Sequence, residues 1–104
     1  MPHYVYILRC ADGSLYVGSA QDLHVRLKAH NEGRGAAHTF GHRPARLVYS
    51  ESLSSQNDAL RRERQLKHWS RGKKEALING DLQRLKRLSK RRIQAKPERS
   101  STSD

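Results

Sequence analysis

Two polar side chains that could take part in binding or catalysis share one face of the first predicted helix. Arg26 and His30 lie four residues apart, and Leu23 and Leu27 border the same face. A guanidinium binds phosphate or carboxylate through paired hydrogen bonds, and an imidazole exchanges protons near neutral pH. Two interpretations are open: the Arg26 stem covers apolar surface, or its head group is aimed at a ligand.

A carboxylate falls within the apolar stripe of the second predicted helix. Ala59, Glu63 and Leu66 follow the i, i+4, i+7 spacing of one helix face. A buried carboxylate costs free energy unless it is paired with a base or bound to a cation. Glu63 is therefore either half of an ion pair, with Arg26 or another basic group, or a ligand for a bound cation.

Two tyrosines, Tyr6 and Tyr16, lie on the arms of a predicted β-hairpin. Residues 4–8 are aromatic and β-branched, residues 15–18 form the second strand, and Asp12-Gly13 between them is a tight-turn signal. Tyrosines in strands are usually packing residues, and they are otherwise available to line a site.

The turn also predicts how the two strands pair. A two-residue turn at Asp12-Gly13 brings Tyr16 opposite Arg9 and Gly18 opposite Ile7. Gly18 removes a side chain at the strand end, which allows another group a close approach to the backbone.

The elements that must position these residues follow the order β-β-α-β-α-α-α. After the hairpin come a helix near residues 23–32 capped by Asp22, a strand at 46–49 and a helix at 59–69 after Ser54-Ser55. A further helix runs from Ser70 to Asn79-Gly80. The last helix is capped by Asp81 and has Leu82, Leu85, Leu88 and Ser89 on one side. This order predicts an α/β (α+β) fold: a three-stranded, mainly antiparallel sheet flanked by helices, followed by a basic C-terminal helix.

The length, composition and net charge of the chain indicate its domain size, its compartment and the kind of partner it binds. A chain of 104 residues has room for one small domain with a thin core. Its 35% hydrophobic content, interrupted by charge, predicts no membrane span, and the first residues lack a signal-peptide pattern. The single cysteine, Cys10, predicts a reducing, cytoplasmic setting. The net charge of +11 predicts a polyanionic partner, with nucleic acid as the first candidate.

Taken in order, these residues resemble the GIY-YIG nuclease family. The motif text is Tyr4-Val5-Tyr6, then Tyr16-Val17-Gly18, Arg26, His30 and Glu63, with intervals of ten from Tyr6 to Tyr16, ten to Arg26 and thirty-seven to Glu63. More narrowly, the chain resembles small stand-alone bacterial members related to the nuclease domain of the excision-repair incision subunit. Tyr4 stands where the family name has Gly, and Val17 where it has Ile.

The resemblance implies hydrolysis of DNA phosphodiester bonds with one divalent cation, Mg²⁺ or Mn²⁺. It implies that Glu63 is the metal ligand and that Arg26 holds the phosphate. Tyr6 and Tyr16 would line the site, one of them orienting or activating the attacking water, and His30 would accept or relay a proton. An Asn that many members carry after the metal ligand has no assigned equivalent, since Glu75 stands nearest and Asn79 lies one turn later.

The resemblance divides the chain into a nuclease-like domain at residues 1–81, a basic helical extension at 82–96 and a disordered tail at 97–104. Residues 1–81 carry 13 basic and 8 acidic side chains, and residues 82–104 carry 8 basic and 2 acidic ones. The extension is therefore either an electrostatic grip on nucleic acid or a solvated appendage. The basic residues predicted to contact nucleic acid are Arg26, Lys73, Lys74, Arg84, Lys86, Arg87, Lys90, Arg91 and Arg92.

Three functions remain open on the residues alone. The first is a metal-dependent endonuclease in DNA repair or processing, acting on DNA (branched or damaged DNA included) or on RNA; its oligomeric state is open, and a monomer is compatible with the sequence. The second is a non-catalytic nucleic-acid-binding protein on the same fold, with Glu63 merely bridging Arg26. The third is a scaffold whose basic helix binds a protein partner.

Overall fold

A computed structural model of the protein describes residues 2–34 and 41–95, with side chains in the last helix described as far as Ser89. The chain divides into two compact units between Trp69 and Ser70. The elements of the first unit are β1 (His3–Arg9), β2 (Leu15–Ala20), α1 (Leu23–Asn31), β3 (Arg46–Leu53) and α2 (Gln56–Lys67). Those of the second unit are α3 (Arg71–Ile78) and α4 (Leu82–Ala95). The predicted tail at 97–104 lies outside the described residues.

The three strands form one antiparallel sheet in the order β2-β1-β3. This confirms the predicted α+β class and puts the third strand beside β1, which the sequence pattern left open. Since β1 is central, its residues Val5, Ile7 and Leu8 are almost fully buried. Strand β2 is an edge strand of the described sheet.

The two faces of the sheet carry different helices. Tyr6, Leu8 and Ala20 point to one face, where Leu23 and Leu27 of α1 pack against them. Val5, Ile7, Val17 and Ser19 have the opposite parity, and α2 contacts β1 and β2 on their face, with Ala59 and Leu66 buried. Side chains of β2 therefore reach α1 from one face and α2 from the other.

The hairpin register differs from the predicted one by one residue. Leu8 pairs with Tyr16, and Tyr6 pairs with Gly18, so the predicted pairs Arg9 with Tyr16 and Ile7 with Gly18 are wrong. The reason is a three-residue loop: the Cys10 amide donates to the Ser14 carbonyl at 2.8 Å, and Gly13 takes a positive φ of 87°. Asp12 accepts the Ser14 amide at 3.0 Å, which stabilises this longer loop.

The predicted helix caps are confirmed. The side chains of Asp22, Ser70 and Asp81 accept backbone amides at 3.1, 3.2 and 3.1 Å, respectively. Helix α2 begins three residues earlier than predicted, because the Ser55 hydroxyl accepts the Asp58 amide and caps it there. It ends at Lys67, two residues before the predicted end at Trp69.

Asn31 fixes the end of α1. Its side-chain amide donates to the Ala45 carbonyl at 2.9 Å and accepts the Ala45 amide at 2.7 Å. Because Asn31 follows His30 directly, this pair of hydrogen bonds also restrains the helix turn that carries the imidazole.

In the second unit, the structure places Leu82 differently from the predicted apolar side of α4. Leu82 is 66% exposed, whereas Leu85, Leu88 and Ser89 are half-buried. Within the described part of the chain, no helix is both long enough and apolar enough to cross a membrane.

Candidate active site

Three aromatic rings meet on the α1 face of the sheet. The Tyr6 hydroxyl lies 3.1 Å from His30 Nε2, and these side chains are 2% and 1% exposed. The Tyr16 ring lies 5.2 Å from the His30 ring and 6.4 Å from the Tyr6 ring, centroid to centroid. The observed register allows this cluster, because it turns Tyr6 and Tyr16 to the same face.

Gly18 makes room for the Tyr6 hydroxyl. A Cβ built on Gly18 would lie 2.5 Å from the Tyr6 hydroxyl oxygen and 2.6 Å from its Cζ atom. Carbon and oxygen do not approach so closely without displacement of one of them. Since the ring is buried, a side chain at position 18 would displace Tyr6 from His30.

The buried pair is neutral at physiological pH. Burial, with smaller contributions from the nearby Tyr16 and Glu63, raises the pKa of Tyr6 to about 12 against the opposing charge and hydrogen bond of Arg26. Burial, and then the positive charge of Arg26, lower the pKa of His30. The imidazole therefore keeps one unprotonated nitrogen, while Tyr6 keeps its proton.

Arg26 completes this half of the site. It lies on the exposed side of α1, and its guanidinium donates a hydrogen bond to the Tyr6 hydroxyl oxygen. The tautomer of His30 decides whether the Tyr6 hydroxyl or His30 Nε2 donates in the hydrogen bond between them. Arg26 and Ser19 also line one open cleft of about 320 Å³.

Glu63 approaches β2 from the opposite face of the sheet. Its Oε1 accepts the Ser19 hydroxyl at 2.7 Å, and its Oε2 lies 2.8 Å from the Lys67 ammonium. The side chain is only 18% exposed. The structure thus gives Glu63 an ion-pair partner one helix turn away, which is another basic group rather than Arg26.

The two halves of the site act on each other across the edge strand β2. The charge of Glu63 raises the pKa of Tyr6, although the helices that carry Glu63 and His30 lie on opposite faces of the sheet. The hydrogen bond with Glu63 raises the pKa of Lys67, and proximity to Tyr16 adds to the shift. Tyr6, Tyr16, Arg26 and His30 therefore belong to one cluster, to which Glu63 is joined electrostatically.

Ser19 and Lys67 are site residues that the sequence reasoning missed. Lys67 follows Glu63 by four residues, a spacing that brings the two side chains together on a helix. Ser19 follows Gly18 directly, but its partner is 44 residues away, and only the fold brings them together.

The donor set fits a hydrated hard cation and no all-protein metal cage. Among the described residues, no three His, Cys, Asp or Glu side chains are close enough to hold an ion together. Glu63 supplies one carboxylate, held by Ser19, and an ammonium already occupies a cation position beside it. Mg²⁺ commonly binds to one or two carboxylates and completes its shell with water and substrate phosphate oxygens.

The other basic residues predicted to contact nucleic acid lie in the second unit. Arg84, Lys86 and Arg87 are exposed on α4. Lys73 is buried, and burial lowers the pKa of the half-buried Lys74. The side chains of Lys90, Arg91 and Arg92 lie outside the described residues. Glu75, near the unassigned Asn position, pairs with Arg71 at 3.3 Å.

Comparison with known proteins identifies the family. A family model described as the GIY-YIG catalytic domain matches residues 2–76. The chain belongs to the GIY-YIG family. The resemblance predicted from the tyrosine, arginine and glutamate motifs is thereby confirmed, and the domain is of a nuclease type.

Relatives of this GIY-YIG protein are small proteins of similar length. A UPF0213 protein of Staphylococcus aureus is 47% identical over 76 residues, which cover 73% of this chain and 93% of the relative. A UPF0213 protein of Staphylococcus saprophyticus is 48% identical over 77 residues, which cover 74% and 94% of the two chains.

Two solved structures share the fold of this GIY-YIG domain. The solution NMR structure of a UPF0213 protein from Bacillus halodurans is 48% identical, with a TM-score of 0.50 over 76% of this chain and 84% of that one. A solution NMR structure of an E. faecalis protein is 32% identical, with a TM-score of 0.54 over 77% and 85%.

The close approach at Gly18 generates a prediction. Gly18→Ala should lower the free energy of unfolding by about 1–3 kcal/mol, because the new methyl group collides with the buried Tyr6 ring. Urea denaturation followed by circular dichroism measures this change. Gly72→Ala is the matched control: its Cβ would meet only an Arg84 nitrogen at 3.7 Å, and alanine favours a helix. A Gly18→Ala protein as stable as the wild type would contradict the close packing described.

Proposed function

We propose that this protein is a divalent-metal-dependent endonuclease that hydrolyses phosphodiester bonds in DNA. The observation that carries the proposal is the neutral Tyr6–His30 hydrogen bond, with Arg26 on the Tyr6 oxygen and the Glu63 carboxylate across strand β2. A proton acceptor, a phosphate-binding cation and a metal-binding carboxylate are the groups that phosphodiester hydrolysis requires.

Arg26 binds and polarises the scissile phosphate. Its guanidinium is on the exposed side of α1 and carries several donors beyond the one used by Tyr6. This fixed cation stabilises the negative charge that develops on the phosphate during attack. The interaction between Arg26 and the phosphate therefore becomes stronger as the reaction proceeds.

The Tyr6–His30 pair removes the proton of the attacking water. A tyrosine with a pKa of about 12 is a poor base by itself. In our proposal Tyr6 accepts the water proton on its oxygen while its own proton passes to His30 Nε2. His30 suits this role because its lowered pKa keeps it neutral before the reaction. The Tyr16 ring, beside His30, limits the space in which the water can lie.

Glu63 holds the metal in this proposal. Ser19 orients the carboxylate by donating to Oε1, and Oε2, which pairs with the Lys67 ammonium, is the oxygen on which a cation would bind. A bound Mg²⁺ or Mn²⁺ ion would neutralise charge on the leaving oxygen.

We propose DNA repair or processing in the cytoplasm as the setting, with branched and damaged DNA as candidate substrates. The buried free thiol of Cys10 supports a reducing compartment. A second candidate function, nucleic-acid binding without cleavage, is favoured by the Lys67–Glu63 ion pair, because that pair already neutralises the carboxylate.

We also propose that α4 grips the nucleic-acid backbone. Arg84, Lys86 and Arg87 are exposed, and the helix continues into Lys90, Arg91 and Arg92. The family match ends at residue 76, before this helix begins. A grip outside the catalytic domain would add affinity that does not depend on base sequence.

Removal of the carboxylate tests the proposed activity. Glu63→Gln should reduce metal-dependent nicking of plasmid and branched DNA by at least about a hundredfold, because neutral Gln cannot hold the cation. The measurement uses protein cleared of contaminating nuclease, with a chelator control. Glu32→Gln is the matched control, since Glu32 is exposed and pairs with Lys28 and Arg34 away from the site. Undiminished cleavage by Glu63→Gln would refute the metal assignment, and DNA binding without cleavage by the wild type would support the second candidate.

Neutralising α4 tests the grip. Replacing Arg84, Lys86 and Arg87 together with Gln should weaken DNA binding and reduce the slope of log K against log salt by up to about 2.7. Fluorescence anisotropy at several salt concentrations measures the slope. A control with the same loss of charge replaces three basic residues of the first unit, Lys28, Arg34 and Arg61. Equal slopes for the two triple variants would mean that α4 contributes only general charge.

A further inference from the structure

Lys67 stands at the position where a metal ion would bind Glu63. Its ammonium lies 2.8 Å from Oε2, and Ser19 occupies Oε1 at 2.7 Å, so both carboxylate oxygens have partners. We propose that Lys67 is a built-in counter-ion that a divalent cation must displace from Glu63, so that Lys67 sets the metal affinity of the site. This inference rests on the proposed function, in which Glu63 is the metal ligand.

Burial of Glu63 explains why a counter-ion is present. The carboxylate is only 18% exposed, and an unpaired carboxylate in such a place loses hydration that the protein must replace. Lys67 provides the replacement from the same helix, one turn away, at the spacing at which Glu and Lys side chains meet. The apo site is thereby stable without a bound ion.

The exposure of Lys67 explains why the exchange is feasible. Its side chain is 49% exposed, and Lys67 is the last residue of α2. The long stem can turn outward, and water then solvates the ammonium at little cost. Glu63 stays in place through Ser19, so one cation replaces another on a fixed carboxylate.

The two cations cannot share Oε2. An ammonium within hydrogen-bond distance of the oxygen would lie beside the metal ion, where like charges repel strongly in a partly buried site. The free energy of metal binding therefore includes the cost of breaking the Lys67–Glu63 ion pair. The measured metal affinity is lower than it would be if Glu63 were unpaired. Removal of the Lys67 charge should raise the affinity, whereas removal of a remote lysine should not.

Mn²⁺ binding to the full chain, without DNA, tests this inference. Isothermal titration calorimetry or the electron paramagnetic resonance signal of free Mn²⁺ gives the dissociation constant. Lys67→Gln should bind Mn²⁺ about two- to fivefold more tightly than the wild type, the range expected from removing one half-exposed competing ion pair. Lys67→Arg, which keeps the charge, should remain close to the wild type.

Matched controls separate this inference from the proposed function. Lys28→Gln removes the same charge from another i, i+4 pair, Lys28–Glu32, which is exposed and spans 4.0 Å, and it should leave Mn²⁺ affinity unchanged. Glu63→Gln should lose the Mn²⁺ site. Circular dichroism establishes that each variant is folded.

The outcomes are distinct. If Glu63→Gln loses Mn²⁺ but Lys67→Gln binds no more tightly than the wild type, the counter-ion role is overturned and Glu63 remains a metal ligand. If Glu63→Gln binds Mn²⁺ as the wild type does, or if neither the wild type nor Lys67→Gln binds it, both the inference and the metal assignment are overturned. Tighter binding by Lys67→Gln and Lys28→Gln alike would show a general charge effect and would also overturn the specific role of Lys67.

Discussion

The pairing of Tyr6 with Gly18 is the constraint on which the site depends. A shift of one residue in the β1–β2 register would turn Tyr6 to the α2 face, away from His30. The three-residue loop closed by Cys10 and Ser14 sets the register, and the missing side chain at position 18 then leaves room for the hydroxyl end of Tyr6. A turn and a glycine therefore determine where the phenol can donate its proton.

The edge position of β2 joins two chemically different environments. On the α1 face, burial keeps Tyr6 and His30 uncharged, which suits proton transfer. On the α2 face, the contacts of Glu63 with Ser19 and Lys67 replace the hydration that its carboxylate loses on burial. Arg26 reaches the Tyr6 oxygen from the exposed side of α1. In a domain this small, an edge strand brings neutral and charged groups near one another without burying them together.

Much of this arrangement could be predicted from residue spacing. Local patterns identify the polar residues within apolar helix faces, which are Arg26, His30 and Glu63. They also identify the helix caps at Asp22, Ser70 and Asp81, and the order of the elements predicts the α+β class. The hairpin register could not be predicted in the same way, because Asp12-Gly13 suits two-residue and three-residue loops alike. The Ser19–Glu63 contact depends on which helix covers which face, and sequence alone left the partner of Glu63 open between Arg26 and other bases. Lys67 follows Glu63 at the i, i+4 helical spacing, and this signal was sufficient to predict the ion pair between them.

The central claim is that a neutral His30 accepts the Tyr6 hydroxyl at Nε2. Titration of the His30 ring by ¹⁵N NMR in the folded protein tests it most directly, with Tyr6→Phe as the control that removes the donor. Because burial and Arg26 disfavour the charged ring, we expect the pKa of His30 to lie below its ordinary value of 6.5, with Nε2 unprotonated at pH 7.5. The folded state then binds fewer protons than the unfolded chain as pH falls below 6.5, so the protein loses stability there. A His30 pKa at or above 6.5, or a proton on Nε2 at pH 7.5, would contradict the account.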